Sequence, residues 1–288
     1  MGRLVILPPD PALLACPRCR APLRSGADLL ACAGCAARFP VAGGVPDLLP
    51  WSGGEPGPEW ATWREKLEAL RQWRRGTWDG SRSSASRQAV ADDRASLFFR
   101  HARLPEGRIL EVGCGSAQLR GRLPGREYWG LDPLAGTPEA PRGSGGPPFV
   151  LVRGVGERLP FASCVFDGVM ICETLDHALD PARVLDEASR VLKAAGVLAV
   201  MQSVREPSAP AVAWRVRARA TAGRFKARLL GRSLPPSDDG TKMRALRADE
   251  VEEAVRRLTA PPVARIAEGT LYLRAVKPAA AVLRAERG

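Results

Sequence analysis

An apolar strand that ends in glycines constrains the fold of this chain more than any other feature. Residues 109–112 read as a buried strand that carries Glu111, and Gly113 and Gly115 follow directly. Glycine at a strand end lets the backbone approach a ligand closely, because a Cβ would block the approach or forbid the required φ. Residues 116–123 are expected to form a helix whose N-terminal amides point into the same space. The segment therefore predicts a nucleotide-type site.

Strand and helix patterns alternate along the rest of the chain, which favours a mainly parallel sheet with helices on both faces. The stretch after Asp132 is rich in proline and glycine, so one crossover helix is expected to be reduced to a loop. A final pair of strands is expected to form an antiparallel hairpin. The expected strands are 108–113, 127–132, 149–154, 165–172, 196–202, 262–267 and 269–276, with helices over 181–194 and 248–258.

Four of the seven cysteines form two Cys-x-x-Cys pairs separated by twelve residues. Paired cysteines in a chain without a secretory signal indicate a metal site rather than disulfides. Four thiolates bind Zn²⁺ tetrahedrally, and such a closed site is structural because no coordination position stays open. A module of about 40 residues needs the metal, since it cannot bury enough apolar surface alone. The predicted zinc ribbon spans 10–50, with ligands Cys16, Cys19, Cys32 and Cys35.

The region 51–104 is expected to be a linker followed by a helical cap. Apolar residues at spacings of three and four favour a helix over 60–78, and a second helix is expected near 89–102. Packing against a neighbouring domain is the ordinary explanation of the stripe, and a cap that lines a substrate pocket is the alternative. The stripe consists of Trp60, Trp63, Leu67, Leu70 and Trp73.

The chain carries a net charge of +12, which indicates contact with RNA, phosphate or an anionic membrane, unless it reflects base composition alone. Within an insertion at 203–240, residues 203–232 hold eight Arg and Lys against one Glu. This basic segment is interpreted as a lid over the acceptor pocket, a membrane contact or an RNA grip. No apolar run approaches the roughly 20 residues of a membrane span, and the N-terminus is too short for a secretory signal, so a cytoplasmic location is expected.

Further motifs follow the glycine loop in a fixed order. Asp132 ends the second strand, residues 154–161 read Gly-Val-Gly-Glu-Arg-Leu-Pro-Phe, and residues 166–181 contain Glu173 and His177. With the glycine loop, this series resembles the class I S-adenosylmethionine-dependent methyltransferases from residue 111 to 277. The resemblance implies a Rossmann-like, seven-stranded α/β methyltransferase domain, placed at 105–288.

Two positions depart from that family. Ala117 occupies the third glycine of its E/D-x-G-x-G-x-G motif, and Val155 replaces the acidic residue that meets the adenine amino group. Glu157 could substitute as a carboxylate, or it could be a solvated loop charge. The carboxylate of Asp132 can accept both ribose hydroxyls. The cofactor contacts that the resemblance implies are Glu111, Gly113, Cys114, Gly115, Asp132, Gly156, Glu157 and Cys172.

The sulfonium of S-adenosylmethionine carries the activation for methyl transfer, so the protein chiefly positions the acceptor and excludes water. His177 lies after the fourth strand, where the methyl group would face its acceptor. It is a candidate general base because its pKa lies near neutrality. The alternative is a histidine that caps the loop or packs beside the cofactor.

The acceptor is the open question. The fourth-strand motif resembles that of metabolite methyltransferases, which favours a small or lipid-linked metabolite. The cysteine module resembles ribbons that precede methyltransferase domains both in natural-product pathways and in a 23S rRNA guanine methyltransferase family. RNA is therefore the alternative acceptor. A catalytically silent scaffold is a third interpretation, because of Val155, Ala117 and the reduced crossover. The sequence does not indicate an oligomeric state.

Overall fold

A computed structural model describes residues 6–26, 28–52, 57–77, 85–137, 148–204 and 245–279. Within these ranges, no helix has both the length and the apolar character to cross a bilayer. The basic segment lies outside the described residues, apart from its first two positions. Part of the glycine- and proline-rich stretch after Asp132 also lies outside them, and its described residues 133–137 form turns and a bend.

The N-terminal third holds one strand, a small sheet and two helices. A single short strand, β1, precedes a small antiparallel sheet of strand order β2-β3-β4-β5, and two helices follow. The four paired cysteines lie in and around this small sheet, which we call the cysteine module. The elements are β1 (Ile6–Leu7), β2 (Leu23–Ser25), β3 (Leu29–Cys32), β4 (Arg38–Ala42), β5 (Val45–Pro46), α1 (Pro58–Thr77) and α2 (Ala85–Ala102).

The remaining elements form the main sheet and its helices. They are β6 (Arg108–Val112), β7 (Glu127–Asp132), β8 (Phe149–Arg153), β9 (Phe166–Cys172), α3 (Pro181–Val191), β10 (Leu192–Ser203), α4 (Ala248–Arg256), β11 (Val263–Ala267) and β12 (Thr270–Val276). Their order in the sheet is β1-β8-β7-β6-β9-β10-β12-β11, and only the pairings of β12 are antiparallel.

The seven-stranded prediction is confirmed, and β1 adds an eighth strand beside β8. The strand order reverses between β6 and β9, because the chain places β7 and β8 on one side of β6 and continues with β9 on the other. In a parallel sheet, ligands bind at such a reversal, beyond the carboxyl ends of the strands. The hairpin of β11 and β12 closes the sheet as expected.

Two expected helices differ from the structure. In place of a helix over 116–123 there is a five-residue 3₁₀ turn, Gln118–Arg122, preceded by Ala117 in the left-handed region at φ +53°. A left-handed residue interrupts an α-helix, so the first crossover is short. The helix expected over 181–194 ends at Val191, because Leu192 is fully buried and pairs with Phe166 in the sheet.

The two faces of the sheet are covered differently. On one face, alternate residues of the strands pack against α3, α4 and the cysteine module, in a cluster that includes Trp129, Phe161 and Phe166. On the other face, the intervening residues pack against α2 through Phe98 and Ala102. The module therefore lies where a crossover helix would cover β7 and β8.

Helix α1 packs across the carboxyl ends of the strands. Trp60, Trp63 and Leu67 form a separate apolar cluster with Leu134 and Val155, which lie in the loops after β7 and β8. The Trp stripe thus packs against the domain at the position predicted for the cap. Nothing in the structure describes the side chain of Trp73, the last member of the stripe.

Candidate functional site

A cavity of about 190 Å³ opens at the carboxyl ends of β6, β7, β8 and β9, under α1. The residues that follow each of these four strands line it, and α1 contributes Trp63 and Leu70. The sequence-predicted residues around it are Gly113, Gly115, Asp132, Gly156, Glu157 and His177. These residues lie far apart in the chain, and the reversal of strand order brings them together.

The glycine loop needs its unusual backbone. Gly113 has φ +74°, and a Cβ there would overlap the side chain of Thr174 from the loop after β9. Ala117 adopts φ +53° at the third glycine position of the motif, and its side chain is buried. Such a conformation costs a non-glycine residue roughly 1–2 kcal/mol, so the departure from glycine is tolerated rather than neutral.

Asp132 closes the loop from the neighbouring strand. Its Oδ2 accepts a hydrogen bond from the amide of Gly115 at 3.0 Å, and its Oδ1 accepts one from the amide of Leu134 at 2.8 Å. Each carboxylate oxygen can accept two hydrogen bonds. The carboxylate is therefore fixed in orientation and lines the cavity.

Glu157 belongs to the 3₁₀ turn Gly156–Arg158 and is 3% exposed. Its Oε1 accepts the amide of Leu179 at 2.8 Å, whereas Oε2 is buried without a hydrogen-bond partner among the described residues. The indole Nε1 of Trp63 is likewise buried and unsatisfied in the described part of the chain. Burial raises the pKa of Glu157, against the neighbouring backbone amides and the nearby indole of Trp63, which lower it. Val155 adds an apolar wall beside this carboxyl.

The far side of the cavity is formed by the turn Leu175–His177. The buried amide of Gln202 orients this turn, because its Oε1 accepts the amide of Leu175 at 3.0 Å. From α1, Lys66 Nζ donates to the carbonyl of His177. The His177 Nε2 lies 3.9 Å from Oδ1 of Asp176, a buried carboxylate. The imidazole therefore lines the cavity with an acidic group beside it.

Several of these contacts were not predicted from the sequence. Thr174 Oγ1 donates to the carbonyl of Cys172 at 2.9 Å. The Thr174 side chain occupies the space that a Cβ at position 113 would need. Glu173 pairs with Arg94 of α2 and accepts the amide of Ser203 at 3.1 Å. A single polar residue in an otherwise apolar strand, as at Gln202, is the signal that could have found its role.

Three other predicted contacts, Glu111, Cys114 and Cys172, lie off the cavity lining. Glu111 points to the α2 face of the sheet, where the hydroxyl of Tyr128 donates to its Oε2. Burial raises the pKa of Glu111 to about 8 against that hydrogen bond, with a smaller contribution from Asp132. Cys114 is buried and Cys172 is partly buried in the same cluster. They lie beneath the glycine loop rather than beside the cavity.

The four sulfur atoms of the N-terminal module lie within 4.8 Å of one another. The backbone amides of Gly34 and Cys35 donate to the Sγ of Cys32 at 3.2 and 3.3 Å, and the amide of Arg18 donates to the Sγ of Cys16 at 3.4 Å. Amide donors stabilise thiolate, which is the form that binds metal. The cluster is compatible with the predicted Cys₄ zinc site.

The module is joined to the chain segment that follows Glu157. Leu14 and Phe161 form an antiparallel bridge, flanked by hydrogen bonds from Ala15 to Pro160 at 3.0 Å and from Ala162 to Leu13 at 2.9 Å. Arg158 also donates to the carbonyls of Pro17 and Arg18, both at 2.8 Å. The first cysteine loop thus contacts the residue adjacent to Glu157.

The sequence comparisons agree with this geometry. Residues 110–200 match a protein family described as a methyltransferase domain. Three curated relatives from Mycobacterium bovis and Mycobacterium tuberculosis, each named an uncharacterized methyltransferase, are 30% identical over 101 residues. The match covers 34% of this chain and 41% of each relative, so the chain spans about two fifths of their length.

Two similar solved structures share the fold. A SAM-dependent methyltransferase from Thermotoga maritima has a TM-score of 0.50 at 19% identity, over 74% of this chain and 99% of its own. The 1,6-didemethyltoxoflavin-N1-methyltransferase of Burkholderia thailandensis, solved with 1,6-didemethyltoxoflavin and S-adenosylhomocysteine, has a TM-score of 0.51 at 14% identity, over 86% and 98%. At these identities the likeness concerns the fold alone. The family match concerns residues 110–200, and the solved structures add a likeness of fold.

Proposed function

We propose that this protein transfers the methyl group of S-adenosylmethionine to a nucleophile on a small or lipid-linked metabolite. The observation that carries the proposal is the cavity itself, which is bounded by the glycine loop, two carboxylates and the roof of α1. A roof that closes over the strand ends excludes water and restricts the size of an acceptor. The sulfonium supplies the activated methyl group, and the residues around it bind and orient.

Asp132 is the proposed ribose ligand. Both of its oxygens accept backbone amides, which fix the orientation of the carboxylate at the wall of the cavity where a ribose would bind. Glu157 is the proposed adenine ligand, because its Oε2 is buried and has no hydrogen-bond partner among the described residues. It lies two positions after Val155, which occupies the position of the family's acidic residue. Gly113, Gly115 and Gly156 leave room for the backbone to approach the cofactor.

His177 is the proposed proton acceptor at the other end of the cavity. His177 lines the cavity, and its Nε2 lies 3.9 Å from Oδ1 of Asp176. A His177→Asn variant is expected to lose roughly 10²–10⁴-fold in kcat if the imidazole removes a proton. A loss confined to KM would instead leave His177 with a packing role beside the substrate.

Cofactor recognition is testable by calorimetry with S-adenosylhomocysteine and with S-inosylhomocysteine, in which a carbonyl replaces the adenine amino group. The protein is expected to favour the adenosyl compound by about tenfold or more, because the inosyl carbonyl faces the Glu157 carboxylate. Glu157→Gln should narrow that preference, since an amide can donate to the carbonyl. Asp132→Ala should weaken the binding of both compounds by about 1–3 kcal/mol.

Absence of binding by either compound would favour the scaffold interpretation over an enzyme. An equal preference in the Glu157→Gln variant and the parent would remove the adenine role of Glu157 and leave the ribose role of Asp132 standing. Labelled methyl transfer to a fractionated extract then separates the acceptors. Label that disappears with RNase would replace the metabolite proposal with RNA.

A further inference from the structure

A second pocket is lined by Arg158, the residue that follows Glu157. It has a volume of about 390 Å³ and is formed by the first cysteine loop, the start of α1 and the start of α3. Three arginines from these separate segments line it, together with Trp60, and the lining contains no carboxylate. The arginines are Arg18, Arg158 and Arg183.

The three guanidinium groups retain free donors toward this pocket. Arg18 uses Nε and Nη2 on the carbonyls of Pro50 and Ser52, and Arg158 uses Nε and Nη2 on carbonyls of the cysteine loop. Neither uses Nη1 within the described ranges. Arg183 stacks on Trp60, with its guanidinium carbon 5.7 Å from the ring centroid, and its side chain donates to no described residue.

The positive charge at this place is not neutralised locally. Burial lowers the pKa of Arg158, and three further arginines, Arg20, Arg183 and Arg190, lower it further, against one carboxylate, Glu187. Glu187 already forms ion pairs with Arg20 and Arg190. Three guanidinium groups therefore line one pocket whose lining contains no carboxylate.

The charge and the hydrogen-bond donors of the pocket suit a tetrahedral oxyanion. Gly57 places the N-terminus of α1 at the pocket, so the helix dipole adds to the field of the arginines. Planar guanidinium forks match phosphate oxygens in pairs, and that match is stronger than a neutral hydrogen bond. Backbone carbonyls hold Arg18 and Arg158 in place before any ligand arrives, which reduces the cost of ordering them.

We infer that Arg18, Arg158 and Arg183 form a phosphate-binding pocket at the seam between the cysteine module and the methyltransferase domain. Trp63, Glu157 and Val184 line the cofactor cavity, and Trp60, Arg158 and Arg183, on the same three elements, line this pocket. The pocket adjoins the adenine end of the cavity rather than the His177 end. A phosphate bound there belongs to a nucleic-acid backbone that runs past the site or to a separate phosphate-bearing small molecule.

Titration calorimetry with pyrophosphate, at low ionic strength and without cofactor, tests this inference. The parent protein is expected to saturate below about 10 mM, and Arg183→Gln is expected to weaken binding roughly tenfold. The pyrophosphate affinity of Arg183→Lys should lie between those of the parent and Arg183→Gln, because lysine keeps the positive charge but lacks the paired donors of the planar guanidinium group. The matched control is Arg100→Gln, an exposed arginine of α2 on the other face of the sheet, which should bind as the parent does.

Equal losses in Arg183→Gln and Arg100→Gln, or no saturation in the parent, would overturn the inference. Unchanged affinity for S-adenosylhomocysteine in Arg183→Gln shows that the variant is folded, and it separates this test from that of the proposed function. A second arm measures a short single-stranded RNA by fluorescence anisotropy. A tenfold difference between the two variants there assigns the phosphate to nucleic acid, and equal RNA affinities assign it to a small molecule.

Discussion

The two faces of the main sheet differ in what covers them and in what they bury. The face under α3, α4 and the cysteine module is an apolar core in which Trp129, Phe161 and Phe166 meet edge to face, with ring centroids 5.0 to 5.9 Å apart. The face under α2 buries an ionisable pair, Glu111 and Tyr128, beneath the glycine loop. One face is thus covered by the module that carries the cysteine cluster, and the other buries a carboxyl whose pKa burial raises.

On the first face, the cysteine module covers β7 and β8 where a crossover helix would otherwise pack. A crossover helix is stabilised by its own backbone hydrogen bonds, whereas a module of about 40 residues depends on its ion. The segment 157–162 is hydrogen-bonded to the module, so we expect the cavity side of the domain to share a dependence on the ion. The α2 face has no such dependence, and metal should therefore affect the two faces unequally.

Removal of zinc should have the largest effect. Binding at a structural Cys₄ site contributes about 10–16 kcal/mol, which is as large as the stability of a whole domain. Cys32→Ser, or chelation of the parent, is expected to unfold the module and expose the segment around Phe161. Hydrogen exchange should rise in residues 13–25 and 157–162 and change little in α2. Metal analysis should give one zinc per chain.

The control for zinc removal is Cys164→Ser, which changes an exposed cysteine outside the cluster and should alter neither metal content nor exchange. Equal deprotection of both faces after chelation would contradict the comparison, because it would mean that the sheet unfolds as one unit with the module.

The second prediction concerns the α2 face and pH. The pKa of Glu111 is raised to about 8 in the folded protein, so the folded state holds one more proton than the unfolded state between about pH 4.5 and 8. Stability should therefore fall as pH rises through this window, by up to about 1.4 kcal/mol per pH unit and about 5 kcal/mol in all. Glu111→Gln should remove that slope, as measured by urea unfolding from pH 5 to 9.

Glu106→Gln is the matched control, because Glu106 is exposed in the loop before β6 and should leave the slope unchanged. Parallel stability curves for the parent and Glu111→Gln would show that the carboxyl is ionised in the fold, and the contrast between the two faces would disappear.

The third prediction compares one phenylalanine from each face. Phe161 and Phe98 are both almost fully buried, and replacement of either by alanine should cost about 3–5 kcal/mol. After chelation the cost of Phe161→Ala should fall, since its neighbours in the module are then unfolded, whereas the cost of Phe98→Ala should persist. Denaturant unfolding of both variants with and without chelator measures the coupling. If chelation lowers the costs of Phe161→Ala and Phe98→Ala equally, the module does not act on one face only.

The strands were predictable from the sequence because buried parallel strands are continuous apolar runs bounded by turn residues. The proximity of the four cysteines followed from their spacing. The face that the module covers could not be predicted, because spacing fixes the metal ligands and not the surface against which Phe39 and Leu48 pack. The failure of the helix over 116–123 had a visible cause only in the structure, where Ala117 is left-handed.

The candidate site likewise contains residues that the sequence predicts and contacts that it does not. Asp132 and His177 follow strands of a recognisable motif, and the ends of adjacent parallel strands meet at one edge of the sheet. Trp63 reaches Glu157 only because α1 crosses that edge at one particular angle, and no periodicity along α1 encodes the angle. Strand alternation does encode the direction of Glu111, since Leu110 and Val112 face the module side and the residue between them must face α2.

The smallest expected effect comes from the ionic seam of the module face. The carboxylate of Glu187 accepts hydrogen bonds from Arg20 at 2.7 Å, from Arg190 at 3.0 Å and from the amide of Leu159 at 2.9 Å. Burial alone would raise the pKa of Glu187, but the hydrogen bonds and charges of the two arginines outweigh it and hold the pKa below its usual value.

A lowered folded pKa means that this seam stabilises the protein above the unfolded pKa of about 4.3 and that the contribution is lost as pH falls below it. Glu187→Gln should cost about 1–3 kcal/mol at pH 7, less than a buried pair in full isolation because Arg20 and Arg190 can reach solvent. Glu253→Gln removes a carboxylate from an exposed cluster with Arg256 and Arg257 and should cost less than about 0.5 kcal/mol. Because Arg20 follows the first cysteine loop whereas Arg190 lies on α3, the cost of Glu187→Gln should fall after chelation. A cost that chelation leaves unchanged would place the strength of the seam within α3 alone.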